Sequence, residues 1–186
     1  MTSWSIPSAE VASKTTIGPA ASGRWRGVAA ALVLIACLAP ALPAQADALA
    51  RANAAYARGD YTSVVRLLTP LALGGNPTAQ ARLGLMYENG FGAPQAYVAA
   101  ADLYAQAAIS GNPFGQARLG LMYDKGHGVP QDFILAYKWL DLAAAHVPRR
   151  QREYFLHLRN AVASKMSLAQ IAEGQRLALC WAPGLP

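Results

Sequence analysis

The sequence predicts an all-α fold: an α–α superhelix (solenoid) of antiparallel helix pairs, closed by a C-terminal capping helix pair. Three observations carry this. Residues 75–95 reappear at 111–131 with 15 of 21 positions identical, at an offset of 36, a period typical of units that pack only on their neighbours. Both copies begin Gly-Asn-Pro and end in a Gly-x-Gly loop followed by proline, the punctuation of a helix that starts on an Asn cap and stops on glycine. Between and after these marks, apolar residues recur at i, i+3, i+4, i+7 and i+8, the stripe of a helix with one buried face.

Taken in order, a first helix of about 46–58 ends at Arg58-Gly59-Asp60. The helix after it carries Tyr61, Val64, Leu67, Leu71 and Ala72, which lie 36 residues before Tyr97, Ala100, Leu103, Ala107 and Ala108. The Tyr56–Tyr61 joint is five residues shorter than the Tyr87–Tyr97 joint, so 47–74 reads as a tighter, tetratricopeptide-like version of the repeats at 75–110 and 111–147. In each full repeat Asn76-Pro77 or Asn112-Pro113 opens the first helix, and Leu83, Gly84 and Tyr87 (then Leu119, Gly120 and Tyr123) share one face. A mid-helix glycine costs about 1 kcal/mol against alanine. Its recurrence at Gly84 and Gly120 predicts a partner helix too close for a Cβ. Gly90-x-Gly92 and Gly126-x-Gly128 end these helices, and Pro94 and Pro130 keep the linkers from continuing as helix. Asp132 is placed to cap the second helix of repeat two, whose stripe is Ala136, Trp139, Leu140, Ala143 and Ala144; repeat one matches with Ala100, Leu103, Tyr104, Ala107 and Ala108. Pro148 opens a helix of roughly 149–164, and Ser167-x-x-Gln170 is a capping box for a last helix reaching about Cys180. Residues 148–186 are thus the cap that closes the stack against water.

The segment 1–46 reads as an address. Arg24 and Arg26 precede the apolar run 27–42, which is short for a membrane span and is followed by Ala44-Gln45-Ala46, a signal-peptidase type of site. Three readings are open: cleavage before Asp47, lipidation at Cys37 within Leu34-Ile35-Ala36-Cys37, or an uncleaved anchor. All three put the repeats outside a bacterial cytoplasm, in the periplasm, secreted or lipid-anchored. Simple cleavage removes Cys37 and leaves Cys180, which reads as a buried, inert thiol beside Trp181.

The chain carries 16 Lys and Arg against 10 Asp and Glu, and from Asp47 onward 13 against 9. That balance is mild. The run Arg149, Arg150, Arg152 and Arg159 comes without interleaved stacking aromatics, so it reads as a solvated helix face, and no nucleic-acid partner is expected. His127, His146 and His157 are scattered without metal-ligand spacing. No nucleophile elbow, phosphate-cradling glycine loop or His-Glu-x-x-His is present, and no carboxylate pair is singled out for acid–base work. The expectation is a protein that is not an enzyme and uses no cofactor or metal.

The string Ala117, Leu119, Gly120, Tyr123, Gly126, Gly128, Val129, Asp132, Ala136, Trp139, Ala143 and Ala144 resembles the SEL-1-like repeat, the longer-loop relative of the tetratricopeptide repeat. Residues 80–108 match nearly as well, with Leu103 in place of the tryptophan, and the tail from Lys165 looks like the closing helix of bacterial members. The resemblance implies an α–α superhelix that mediates protein–protein contacts. With the address at 1–46 and no catalytic constellation, the expectation is a non-catalytic adaptor of the cell envelope that binds a protein or peptide in the concave groove lined by the first helices of its repeats. That face would comprise Thr78, Ala81, Arg82, Leu85, Glu88 and Asn89 in one repeat, and Phe114, Ala117, Arg118, Leu121, Asp124 and Lys125 in the next. Differences between the two copies collect there, as Thr78/Phe114, Glu88/Asp124 and Asn89/Lys125, while packing positions stay the same. Drift at exposed positions would give the same pattern. Arg82 and Arg118, like Gln80 and Gln116, are identical between repeats and read as structural bonds to neighbouring loop carbonyls, the alternative being a fork for a ligand carboxylate. Trp139, in register with Ala136 and Ala143, reads as core. Some cysteine-rich secreted relatives bind or slowly hydrolyse β-lactams. A binder or hydrolase of a cell-wall fragment or β-lactam is therefore the alternative function, although this chain lacks those cysteines.

Overall fold

In the computed structural model, residues 41–183 are described, and they form eight α-helices without strands. They are α1 (Ala41–Ala57), α2 (Tyr61–Leu73), α3 (Pro77–Asn89), α4 (Tyr97–Ile109), α5 (Pro113–Lys125), α6 (Phe133–Ala145), α7 (Arg149–Ala163) and α8 (Leu168–Leu179). Consecutive helices pack on one another from α2 to α7, α8 returns onto α6, and the first helices α3 and α5 touch across repeats. The result is an all-α helical repeat solenoid with a terminal helix pair. Helix α1 begins before the expected residue 46 and runs through Ala44-Gln45-Ala46. Of the leader expected over residues 1–46, residues 1–40, with Cys37, lie outside the described residues. Among the described residues, no helix is long and apolar enough to cross a membrane.

The helix starts follow from their caps. Asn76 and Asn112 accept from the backbone N–H of Ala79 and Gly115 at 3.0 and 2.9 Å, and Asp132 accepts from Leu135 at 2.9 Å. Helix α4 has no side-chain cap, because Ala96 stands where Asp132 stands in the next repeat. At α8 both halves of the capping box form: Ser167 Oγ accepts from the Gln170 N–H, and Gln170 Oε1 accepts from the Ser167 N–H. Asp60 caps α2 through the Ser63 N–H at 3.1 Å, and the hydrogen bonds from Ser63 hold its carboxyl below the ordinary carboxylate range. A carboxyl lowered on folding stabilises the fold fully above about pH 4, its unfolded value, and loses that contribution as pH falls through the lowered one. The melting-temperature gap between wild type and Asp60→Ala is therefore expected near neutrality and narrows under acid, as read by circular dichroism at pH 7 and pH 2.5. A gap constant with pH contradicts this.

Stacking uses the same contacts twice. The expected stripes are buried: Ala136, Trp139, Leu140, Ala143 and Ala144 in α6, and Ala100, Tyr104, Ala107 and Ala108 in α4, with Leu103 half-buried. Trp139 is core, with the Lys138 ammonium 4.5 Å from the centre of its ring. Gln80 and Gln116 are buried, and their side-chain amides donate to Ala72 O and Ala108 O at 3.2 and 3.3 Å. Each thereby adds a second bond to a last-turn carbonyl of the helix before it, Ala72 O and Ala108 O already accepting from the backbone N–H of Gly75 and Gly111. Gln95 and Gln131 close the loops by donating to Glu88 O and Asp124 O at 2.8 and 2.7 Å. Those loops then reach back one unit. Phe91 stacks on Tyr61 at 4.7 Å, and the His127 ring lies on Tyr97 at the same distance. A Cβ on Gly92 would fall 2.3 Å from Tyr61 O, and one on Gly128 would fall 2.2 Å from Tyr97 O.

The C-terminal part corrects one expectation. Cys180 is exposed, not buried. Helix α8 ends at Leu179 and faces the core with Gly174 and Ala178. The half-buried Trp181 continues that side, edge-on to Trp139 and His146, and leaves Cys180 pointing away. The basic run divides between structural and free residues. Arg159 pairs with Asp141 at 2.6 Å and Arg152 donates to Ala144 O at 3.2 Å, while Arg149 and Arg150 are exposed.

Candidate functional site

A cavity of about 460 Å³ opens between the first helices of successive units. Ala52, Asn53 and Tyr56 of α1 form one wall, and Thr78, Ala81, Arg82, Leu85 and Met86 of α3 form the other. Val64 and Leu68 of α2 make the floor, and Asn112 and Phe114 close the side toward α5. The lining is mainly apolar with a few polar groups, the usual make-up of a binding cleft. Two of its aromatic rings are open to solvent, Tyr56 at 44% and Phe114 at 40%.

Of the residues expected on the binding face, Thr78, Ala81, Arg82, Leu85 and Phe114 line this cavity. Ala117 is buried and Leu121 half-buried, and both lie outside the lining. Asn89 is exposed and its amide donates to Leu85 O at 2.9 Å. Lys125 is exposed at the last turn of α5.

The remaining charged residues bind within the chain. Glu88 accepts from the Tyr104 hydroxyl at 2.7 Å and meets the Arg118 guanidinium at 3.5 Å, and Arg118 lies 5.6 Å over the Phe114 ring. Tyr104 is fully buried, and burial first, then the Glu88 carboxylate, pushes its hydroxyl well above the usual phenol range. It is therefore a fixed hydrogen-bond donor. Asp124 takes both its bonds from Lys165 Nζ, at 2.7 and 3.0 Å. The arginines do make structural bonds, but their partners are side chains on the preceding first helix and not loop carbonyls: Arg118 reaches Glu88, and Arg82 donates to the Asn53 side-chain oxygen.

The contribution of α1 and α2 to the cavity was not anticipated. Tyr56 carried a signal, since it occupies the place that Tyr87 and Tyr123 take in the two full repeats. Among the described residues, no group of three or more His, Cys, Asp or Glu could hold a metal ion.

Stacked helix pairs with a cleft across their first helices define an α-helical repeat protein of the interaction type. The family matched is the Sel1 repeat, over residues 77–112 and 113–146. A protective antigen present in uropathogenic Escherichia coli strains, which displays an SLR fold, superposes with a TM-score of 0.66 at 28% identity. The match covers 75% of this chain and 30% of the antigen, so the present chain spans less than a third of that protein. A Sel1 repeat protein from Oxalobacter formigenes is 29% identical over 59% of this chain and 97% of its own, with a TM-score of 0.46. No curated protein matches. The chain thus carries two Sel1 repeats, and together with the SLR-fold neighbour they support a SEL-1-like repeat protein. Sel1 repeats are generally protein–protein interaction modules, and proteins built from them are typically non-catalytic scaffolds.

Proposed function

We propose that this protein is a non-catalytic adaptor of the bacterial cell envelope that captures a protein or peptide partner across the first-helix face of α1, α3 and α5. The observation that carries this reading is the cleft itself. It holds about 460 Å³ of open, largely apolar space between the first helices, with Tyr56 and Phe114 exposed at its rim. Exposed aromatics beside an apolar pocket are the usual anchors of protein recognition. The envelope location rests on Arg24, Arg26, the apolar run 27–42 and Ala44-Gln45-Ala46. Cleavage after Ala46 would trim the first turns of α1 and leave Asp47, which pairs with Arg51 at 3.5 Å, at the start of the helix. Mass spectrometry of the protein recovered from its host distinguishes a chain starting at Asp47 from an acylated Cys37.

Affinity capture from envelope extract tests the binding reading. Phe114→Ala is expected to weaken retention of the captured partner about tenfold or more, since truncating one anchoring aromatic costs on the order of 2 kcal/mol. Lys125→Ala, at the far end of the same face, is expected to weaken it less and in a salt-dependent way. Capture indifferent to both substitutions would remove the groove assignment. Incubation with a chromogenic β-lactam and with muropeptides addresses the alternative, and turnover there would replace the adaptor reading with an enzymatic one.

A further inference from the structure

The cavity has an origin that can be read by comparing the two junctions between first helices. At the α3/α5 junction four side chains form a network: the buried Tyr104 enters beside Gly84, donates to Glu88, and meets the part-exposed Phe114 edge-on at 6.5 Å, while Arg118 pairs with Glu88. The same positions can be located one unit earlier. Residues of α2 and α3 correspond to those of α4 and α5 at an offset of 36, so Leu68, Thr78 and Arg82 stand for Tyr104, Phe114 and Arg118. Helix α1 corresponds to α3 at an offset of 31, because its joint is five residues shorter; Tyr56 then matches Tyr87, and the left-handed Gly59 matches the left-handed Gly90. Asn53 stands for Gly84 and Ala57 for Glu88.

At the α1/α3 junction the phenol has become leucine, the phenyl threonine and the carboxylate alanine. Only the arginine is retained. Asn53, Leu68, Thr78 and Arg82 all line the cavity, so the hollow occupies the place of that network. Arg118 has a carboxylate beside it, whereas Arg82 has a neutral amide oxygen from Asn53, and no ion pair to Arg82 exists among the described residues. A guanidinium on an apolar wall favours a carboxylate, which it can hold through two parallel N–H bonds.

We infer that the α1/α3 cavity takes a peptide segment in which an acidic side chain is flanked by apolar ones, the ligand's carboxylate supplying to Arg82 the counter-charge that Glu88 supplies to Arg118. The apolar neighbours of that acid fill the volume that Tyr104 and Phe114 occupy one unit later. This rests on the peptide-binding reading above and narrows it to one chemistry and one junction.

The test uses the full-length protein on an array of nonapeptide pools, acetylated and amidated, with the centre fixed as Glu, Gln, Lys or Leu and the other positions randomised. The Glu pool is expected to bind at least tenfold more strongly than the Gln pool, and to select apolar residues beside the acid. Arg82→Met is expected to erase the Glu-over-Gln preference. The double substitution Ala57→Glu with Thr78→Phe rebuilds the counter-charge and the plug within the chain. It is expected to abolish binding of the Glu pool while helix content and melting temperature stay at wild-type values or rise.

Equal binding of the Glu and Gln pools overturns the inference, as does an acid preference that survives Arg82→Met or full binding by the folded double variant. Pools that bind without an acid preference and are lost in Phe114→Ala sink this inference and leave the adaptor reading standing. Pools that fail altogether sink it too, and partner capture by the first-helix face is then decided separately in the extract experiment.

Discussion

Gly128→Ala should be among the most destabilising single-methyl additions this chain can receive. Gly128 sits at a φ of 73°, and a Cβ there would lie 2.2 Å from Tyr97 O, 2.5 Å from Tyr97 C and 2.8 Å from the Val98 nitrogen. Those are backbone atoms of the first turn of α4, so no side chain can swing aside. The left-handed conformation costs an L-residue about 1–2 kcal/mol, and forced overpacking against a fixed neighbour adds about 1–3 kcal/mol. A loss of about 3 kcal/mol is a large part of the ordinary 5–15 kcal/mol of domain stability. In a domain of this size it corresponds to a melting point roughly 10 °C lower. Gly126→Ala is the control. Its φ is 69°, but its nearest neighbour would be the Gln131 Cβ at 3.4 Å. It should cost the conformational part alone, about 1–2 kcal/mol. Urea or thermal unfolding of the two variants separates backbone strain from the contact between units. Equal losses would mean that the loop does not lock onto the preceding helix pair.

Tyr104→Ala should be comparably damaging for a different reason. The side chain is fully buried, faces Gly84 with its ring and ties Glu88 in place. Truncation removes most of an aromatic side chain from a close-packed junction, at about 3–5 kcal/mol, and also leaves Glu88 with only the 3.5 Å contact to Arg118. Tyr104→Phe keeps the ring and removes only the hydroxyl, so about 1.5–3 kcal/mol, the range for a hydrogen bond to a charged group, bounds its cost. Denaturant midpoints of both variants give the two contributions separately. If Phe matches Ala, the ring is not what fills the junction. If Phe matches the wild type, the bond to Glu88 carries no weight.

Much of the scaffold was legible because its signals are local. Asn-Pro at a helix start, glycine at its end and the stripe through Trp139 each depend on residues a few positions apart, and each appears in the structure. The mid-helix glycines were read correctly as sites of close approach, yet the two differ. A Cβ on Gly120 would meet the Leu140 side chain at 2.9 Å and also the Ala136 carbonyl oxygen at 3.0 Å, so the partner backbone itself is close, whereas one on Gly84 would meet only the Tyr104 ring, at 2.8 Å. Sequence spacing cannot separate these cases, because the difference lies in which side chain the neighbouring helix sends.

Contacts between units were harder to read. Arg118 meets Glu88, and Lys165 meets Asp124 across 41 positions. Helical phase alone places both carboxylates on the binding face, because it does not show the cation that each meets. Cys180 is exposed for a related reason: apolar sequence neighbours do not bury a residue at a helix end, where the stripe hands over to Trp181. In the sequence the cavity leaves its trace only when α1 is aligned to α3 at 31 and the following helices at 36, since a single offset hides that the tyrosine, phenylalanine and glutamate of one junction have all become smaller at the other.

Recognition by the face that joins α1, α3 and α5 is most directly tested by amide chemical-shift mapping of the isotopically labelled protein. The ligand would be the strongest peptide recovered from the arrays or, failing one, the captured partner. The largest shifts are expected at Asn53, Tyr56, Thr78, Arg82 and Phe114, with the amides of α7 and α8 unchanged. Shifts concentrated on α6 to α8 instead, with the cavity residues silent, would contradict the account.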